Sequence, residues 1–354
     1  MRPTSERPVV PDAPPRAVRV PAGPPWWGSV MGTGMLATLT HLHAGDSPLG
    51  AWGSRMLVVV GWSLAVTLTA AFARRIGQDP GVWRNSVTGV GSAAWGMVSM
   101  GILAIGSATG AIVPAWSAES ADVAQAVFVA CWGLGTLIGL ISTFGFSAGL
   151  VRRRPPDPRP SWGLAVVPPM VSATTGATLT SELGLPGAFI DVLMACFVCS
   201  LVLGGIIFTI AYRHHAVVEE IPVALAPTAW IPLGVVGQSS AAAVAIAGLS
   251  VERLGAPHWA DVVGVGYAAG MLGLGVPLSL FAVFLTVRGF VRRMPFSPVW
   301  WSLTFPIGTL SLGSLYLSRH LPAMEHVSVA IWMVLMGTWT LCATASLRSL
   351  RGGV

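Results

Sequence analysis

The side chains able to do chemistry are few, and their surroundings exclude most of what they could do. Cys196-x-x-Cys199 has the spacing of a redox pair, but both residues lie in an apolar run with no βαβ pattern around them. They read, with Cys131 and Cys342, as small buried hydrophobes. His41 and His43 stand beside Asp46 at the end of an apolar run. There they could attract anions or sense acidity, or simply occupy an interface. His214-His215 has no metal-ligand spacing around it and reads as solvated loop. No Gly-x-Ser-x-Gly, His-Glu-x-x-His or phosphate-loop pattern occurs. The sequence therefore predicts no enzyme, no cofactor and no metal site.

The polar residues deepest in apolar runs are of one kind. They are Thr33, Ser99, Ser172, Thr174, Thr175, Gln238, Ser239, Thr304 and Thr309, with no Asp, Glu or Arg among them. A proton-coupled carrier usually holds a protonatable relay and a cation pore usually holds carboxylate rings. Hydroxyls, one amide and backbone N–H groups freed beside glycine and proline can instead donate hydrogen bonds to an anion without holding it tightly. Taken singly, each hydroxyl also reads as glue between helices.

These residues must be positioned by a membrane scaffold. Of 354 residues 53% are hydrophobic and only 10% charged, against about 25% charged in a soluble domain. A spanning helix needs about 20 mainly apolar residues. Ten such runs are expected, at 26–44, 52–73, 87–109, 123–150, 162–181, 187–211, 223–250, 261–287, 298–317 and 326–347. Residues 1–25, rich in proline and arginine, read as a disordered cytosolic tail, residues 26–347 as the membrane domain and residues 348–354 as a short cytosolic tail. All 20 basic residues are arginine. Only Arg55, Arg253 and Arg319 fall on the side opposite the amino terminus, and the other seventeen predict that both termini are cytosolic. The net charge of +6 is therefore a matter of topology, and no nucleic-acid partner is expected.

The odd-numbered runs share a signature. Each begins with a tryptophan (Trp27, Trp95, Trp162, Trp230, Trp301), followed within about two turns by glycine or proline. Gly32, Gly34, Gly101, Pro168, Pro169, Gly234 and Pro306 are read as helix-break or pore-lining positions, together with Thr33, Ser99, Thr174, Gln238 and Thr304. Five hairpins of one orientation predict parallel repeats. Such repeats can close into a quasi-five-fold ring, with the irregular odd helices around a central pore and the apolar even helices facing lipid.

At this point the residues resemble a known family. Trp26-Trp27-Gly-Ser-Val-Met-Gly-Thr-Gly-Met35 and Trp300-Trp301-Ser-Leu-Thr-Phe-Pro306 are similar to motifs of the tellurite-resistance/C4-dicarboxylate transporter family. That family includes the plant slow anion channels, fungal malate permeases and sulfite efflux proteins. The resemblance covers about residues 24–347 and includes Leu233-Gly-Val-Val-Gly-Gln238, where Val235 stands in place of the family's proline. It implies an all-α membrane protein of ten helices in five hairpins, a homotrimer in a cell membrane, and Phe305 as a plug on the ninth helix. A bacterial inner membrane is the expected location. A phenylalanine beside Pro306 offers nothing to replace an anion's hydration, which suits a hydrophobic constriction.

The expected function is passage of small inorganic or dicarboxylate anions through a central pore gated by Phe305. The alternatives are a proton-linked carrier or efflux protein for C4-dicarboxylates, sulfite or tellurite, and a receptor or structural subunit without flux.

Overall fold

The computed structural model describes residues 21–153 and 157–351. Residues 1–20 of the expected amino-terminal tail, Arg154, and residues 352–354 of the carboxy-terminal tail lie outside the described residues. Among the described residues the regular structure is helical, with no strand. Eleven α-helices follow in order: α1 Gly28–Ala44, α2 Pro48–Gln78, α3 Gly81–Val87, α4 Trp95–Ile112, α5 Ala118–Arg153, α6 Pro168–Leu183, α7 Ala188–Val217, α8 Ile231–Leu254, α9 Trp259–Val291, α10 Phe305–Ser318 and α11 Ala323–Leu350. Among the described residues seven helical stretches are long and apolar enough to cross a membrane. The chain is an all-α membrane protein.

Apart from the short α3, the helices are of two kinds. α2, α5, α7, α9 and α11 run for 28 to 36 residues. They present side chains such as Val262, Leu280 and Phe284 outward, as lipid-facing helices do. α1, α4, α6, α8 and α10 are shorter and largely buried. Each of these is preceded by a 3₁₀ segment, at Pro24–Trp27, Gly89–Ala94, Pro160–Ala165, Val223–Trp230 and Pro298–Leu303.

Local sequence explains these entries. Proline occupies at least one of the first two positions of three of the 3₁₀ segments and of α6, α8 and α10. Its missing N–H costs nothing there, because those first donors have no partner within the helix. The five repeat tryptophans all lie at or within four residues of these entries. The entry also lengthens the element. The 14 residues of α10 rise about 21 Å at 1.5 Å each. The six residues of Pro298–Leu303 add about 12 Å at a 3₁₀ rise of roughly 2.0 Å.

The short helices are neighbours in a closed cycle: α1 packs on α4, α4 on α6, α6 on α8, α8 on α10, and α10 on α1. Each long helix packs on its own short partner and on the next one, so that α2 also meets α4, α5 meets α6, α7 meets α8, α9 meets α10 and α11 meets α1. Indole donors stitch several of these joints. Trp62 Nε1 of α2 donates to Thr109 Oγ1 of α4 at 2.9 Å, and Trp132 Nε1 of α5 to the Ser172 carbonyl of α6 at 3.0 Å. Trp339 Nε1 of α11 donates to Thr33 Oγ1 of α1 at 2.9 Å.

Glycines act differently from the sequence expectation. Gly32, Gly34, Gly101 and Gly234 lie inside continuous helix, and the irregular backbone is in the 3₁₀ entries instead. Three of the four are close-approach positions. A methyl group on Gly34 would sit 2.8 Å from the Ala104 carbonyl carbon, one on Gly32 would land on the Thr304 side chain, and one on Gly101 would sit 2.9 Å from Trp27.

Candidate functional site

The junction between Pro298–Leu303 and α10 fixes one residue tightly. Thr304 stands at the N-cap position, its Oγ1 donating back to the Trp301 carbonyl at 2.7 Å and its own carbonyl accepting from Gly308 N at 3.0 Å. Trp301 Nε1 donates to Ser346 Oγ at 3.2 Å, and Cys342 Sγ donates to the Trp300 carbonyl at 3.2 Å, so α11 holds this entry from outside. Phe305 is the first residue of α10 and is 2% exposed. Pro306 follows it at a position where proline is tolerated.

Helical spacing puts Phe305, Thr309, Leu312 and Tyr316 on one stripe of α10. Tyr316 marks which way the stripe looks. Its hydroxyl lies 3.3 Å from Thr178 Oγ1 of α6. Helices α6 and α10 are not successive in the cycle, so this contact joins two helices that both flank α8. One turn on, the Arg319 guanidinium lies 4.4 Å from the centre of the Tyr316 ring, within cation–π range.

On the facing part of α8, Gly234 and Gln238 are one turn apart. A methyl group on Gly234 would have only Pro306 nearby, at 3.9 Å, so this glycine borders open space next to the α10 entry. Gln238 is 1% exposed, and its Oε1 is buried with no hydrogen-bond partner. Its backbone carbonyl accepts from Thr174 Oγ1 at 3.1 Å, tying α6 to α8.

Most of the other hydroxyls singled out from sequence are used within the helix assembly. Ser99 donates to the Gly135 carbonyl of α5 at 2.6 Å. Thr33 donates to the Ser29 carbonyl at 2.7 Å while accepting from Trp339. Thr309 donates to the Pro306 carbonyl at 2.7 Å and also reaches the Leu233 carbonyl of α8 at 3.2 Å. Ser172 accepts from Thr136 Oγ1 of α5 at 2.9 Å, and Thr175 donates to the Val171 carbonyl at 2.8 Å. Pro168 and Pro169 begin α6, and Pro168 also packs where Gly139 of α5 leaves room. Thr33 and Ser99 thus meet long helices, whereas Gly234 of α8 faces Pro306, the residue after Phe305.

His43 is likewise a joint: its Nε2 lies 3.0 Å from Ser328 Oγ, which donates to the Ser311 carbonyl at 2.7 Å, linking α1, α11 and α10. His215 Nδ1 lies 2.8 Å from the Glu219 carbonyl in the loop after α7. All four cysteines are free thiols. Tyr316 was not among the residues singled out from sequence. The signal available was its place eleven residues after Phe305, hence on the same helical face, but its partner Thr178 lies in a distant segment.

Residues 22–347 match the family model described as Voltage-dependent anion channel. The chain is also 24% identical over 195 residues to Sulfite efflux pump SSU1 of Arthroderma benhamiae, covering 51% of each protein. The same identity over the same length and the same share holds for Sulfite efflux pump SSU1 of Trichophyton rubrum. The chain thus spans about half the length of the curated relatives it matches.

Proposed function

The chain belongs to the voltage-dependent anion channel family, and we propose that it passes small anions across a membrane through the axis of its five short helices, with Phe305 as the gate. The observation that carries this reading is the α10 stripe, which begins at Phe305 and ends at the Tyr316–Thr178 contact between the non-successive short helices α10 and α6.

Two further features support it. The short helices with their 3₁₀ entries approach or exceed the roughly 30 Å hydrocarbon thickness, which supports ten spans arranged as five hairpins around a pore. Of the fifteen arginines among the described residues only Arg55, Arg253 and Arg319 fall on the opposite side of such an arrangement, which supports cytosolic termini. The expected homotrimer follows from the family resemblance.

Anions would meet an arginine at Arg319, the Gln238 amide and then Phe305. Of the residues named on this path only Tyr316 and Arg319 are ionisable, and neither is a carboxylate or histidine of the kind that makes up a proton relay. A channel following the anion's own gradient is favoured on that ground over a proton-linked carrier. The sulfite efflux relatives make sulfite the first anion to test, beside chloride, nitrate, tellurite and malate.

The test is flux from liposomes holding the purified chain, measured with and without a pH gradient and with each anion in competition. Flux that follows the anion gradient alone is the expected result. Dependence on the pH gradient would favour the proton-linked carrier, and no flux of any anion would favour a receptor or structural subunit.

A further inference from the structure

A second site lies on the flank of the molecule, away from the axis. α3 and the Gly89–Ala94 segment stand off α5 and leave a groove of about 530 Å³. Its walls are apolar, formed by Val87, Val90, Ile138, Ile141, Phe146 and Leu150. It is open because Gly145 and Gly149 of α5 line it without side chains, and a methyl group added to either would meet nothing within 4 Å.

Two polar features mark the groove as more than a gap. Arg153 lines one end, with no carboxylate in ion-pair range among the described residues. Ser142, which lies on the same face of α5 as Gly145 and Gly149, is 8% exposed, and its Oγ is buried with no hydrogen-bond partner. From Ile138 to Arg153 the helix rises roughly 22 Å at 1.5 Å per residue, enough to run past one leaflet's roughly 15 Å of hydrocarbon. Trp83 and Trp95 line the groove and meet edge to face at 5.4 Å, the kind of aromatic pair found at headgroup level.

We propose that this groove binds one anionic phospholipid of the arginine-rich leaflet, its phosphate at Arg153 and one acyl chain laid over Gly149 and Gly145. The orientation rests on the cytosolic placement of the termini. A cation at one end and an apolar slot below it fit an amphiphile with an anionic head. Ser142 lies eleven residues from Arg153, roughly 16 Å along α5, beyond Gly145 and at the depth of the acyl chain. The occupant would rest on Trp95, the first residue of α4, one of the five short helices.

Native mass spectrometry of the full chain in detergent, titrated with phosphatidylglycerol or phosphatidylcholine, tests the site. The wild type is expected to retain one phosphatidylglycerol per chain in preference to phosphatidylcholine. Gly149→Phe fills the slot and should abolish that retention. Arg153→Gln should bind phosphatidylglycerol about fivefold less tightly, the effect of one cation near an anionic headgroup, and lose the preference. Gly133→Phe is the control, because Gly133 of α5 also has open space around it but lies outside the groove; it should bind as the wild type does. Equal retention in the wild type and Gly149→Phe would overturn the proposal, as would equal binding of the two lipids by the wild type. So would a Gly149→Phe variant that dissociates an oligomer while keeping its lipid, since a second copy of the chain would then be the occupant.

Discussion

Replacing Phe305 by alanine should open the pathway, and the structure sets both the size of the effect and its control. The substitution removes roughly 100 Å³ of side chain, room for about three waters at ~30 Å³ each. An anion that had to shed water at a phenyl ring would then cross a wetted gap. Anion flux should rise at least tenfold, which corresponds to a barrier lowered by about 1.4 kcal/mol or more. A graded series is expected, with Phe305→Leu between the wild type and Phe305→Ala. Phe128 of α5 is the control, since it is 1% exposed and packs at Gly110 of α4, where a methyl group would come within 2.6 Å of its ring. Phe128→Ala leaves a closed cavity and should cost about 3–5 kcal/mol without raising flux. Phe305→Ala should cost less, about 1.5–3 kcal/mol, because water fills the space and only the transfer contribution is lost. Liposome efflux normalised to folded protein gives the first readout, and unfolding in detergent gives the second. Equal flux in Phe305→Ala and the wild type, or an equal rise in Phe128→Ala, would refute the gate.

Gln238→Glu would place a fixed negative charge beside Gly234 and should lower anion flux by more than tenfold at neutral pH, with partial recovery as the medium is acidified and the carboxylate is protonated; flux against pH checks it. Arg319→Gln should reduce anion entry from its own side most at low salt, and the difference should shrink near 1 M salt, where the screening length is about 3 Å; initial rates at two ionic strengths decide this. Gly237→Ala pushes a methyl group into the Thr309–Leu310 backbone of α10 and should destabilise the chain by about 1–3 kcal/mol. Gly248→Ala, where nothing lies within 4 Å, should not destabilise it, and thermal unfolding of both proteins in detergent makes the comparison.

Apolar runs carried much of the helix pattern in the sequence, because burial in lipid leaves a composition signal that needs no partner. The run expected at 52–73 lies inside α2, and the run at 223–250 covers the Val223–Trp230 entry and most of α8. The short α3 was not legible, since Gly81-Val-Trp-Arg-Asn-Ser-Val87 is seven residues with a central arginine. The tryptophan repeat was legible, but its meaning was not. The same residues suggested breaks within helices, and the structure has 3₁₀ entries before them. Whether Gly32 bends a helix or admits a neighbour depends on Thr304, some 270 residues away, and no local pattern holds that information. Pairings such as Trp339 with Thr33 were hidden for the same reason.

The use made of the hydroxyls sharpens the proposed mechanism. A lumen ringed with free hydroxyl donors would bind an anion at every turn, and tight binding slows release. Here Ser99, Thr33, Thr174, Thr304 and Thr309 donate to backbone carbonyls, so the donors that could trap an anion instead hold the helices in place. Each such bond contributes about 0.5–1.5 kcal/mol net; Thr174 joins α6 to α8, Thr309 also reaches the Leu233 carbonyl of α8 from α10, and Ser99 joins α4 to α5. Gln238 is different: its Oε1, an acceptor that cannot bind an anion, is buried without a hydrogen-bond partner, so only the amide NH2 of this side chain could meet one. One amide can replace part of an anion's hydration without a fixed charge to hold it. On this reading the same chemistry that rigidifies the five-helix cycle leaves its interior weakly binding. Control of passage then falls to a single aromatic side chain at a proline-terminated helix entry.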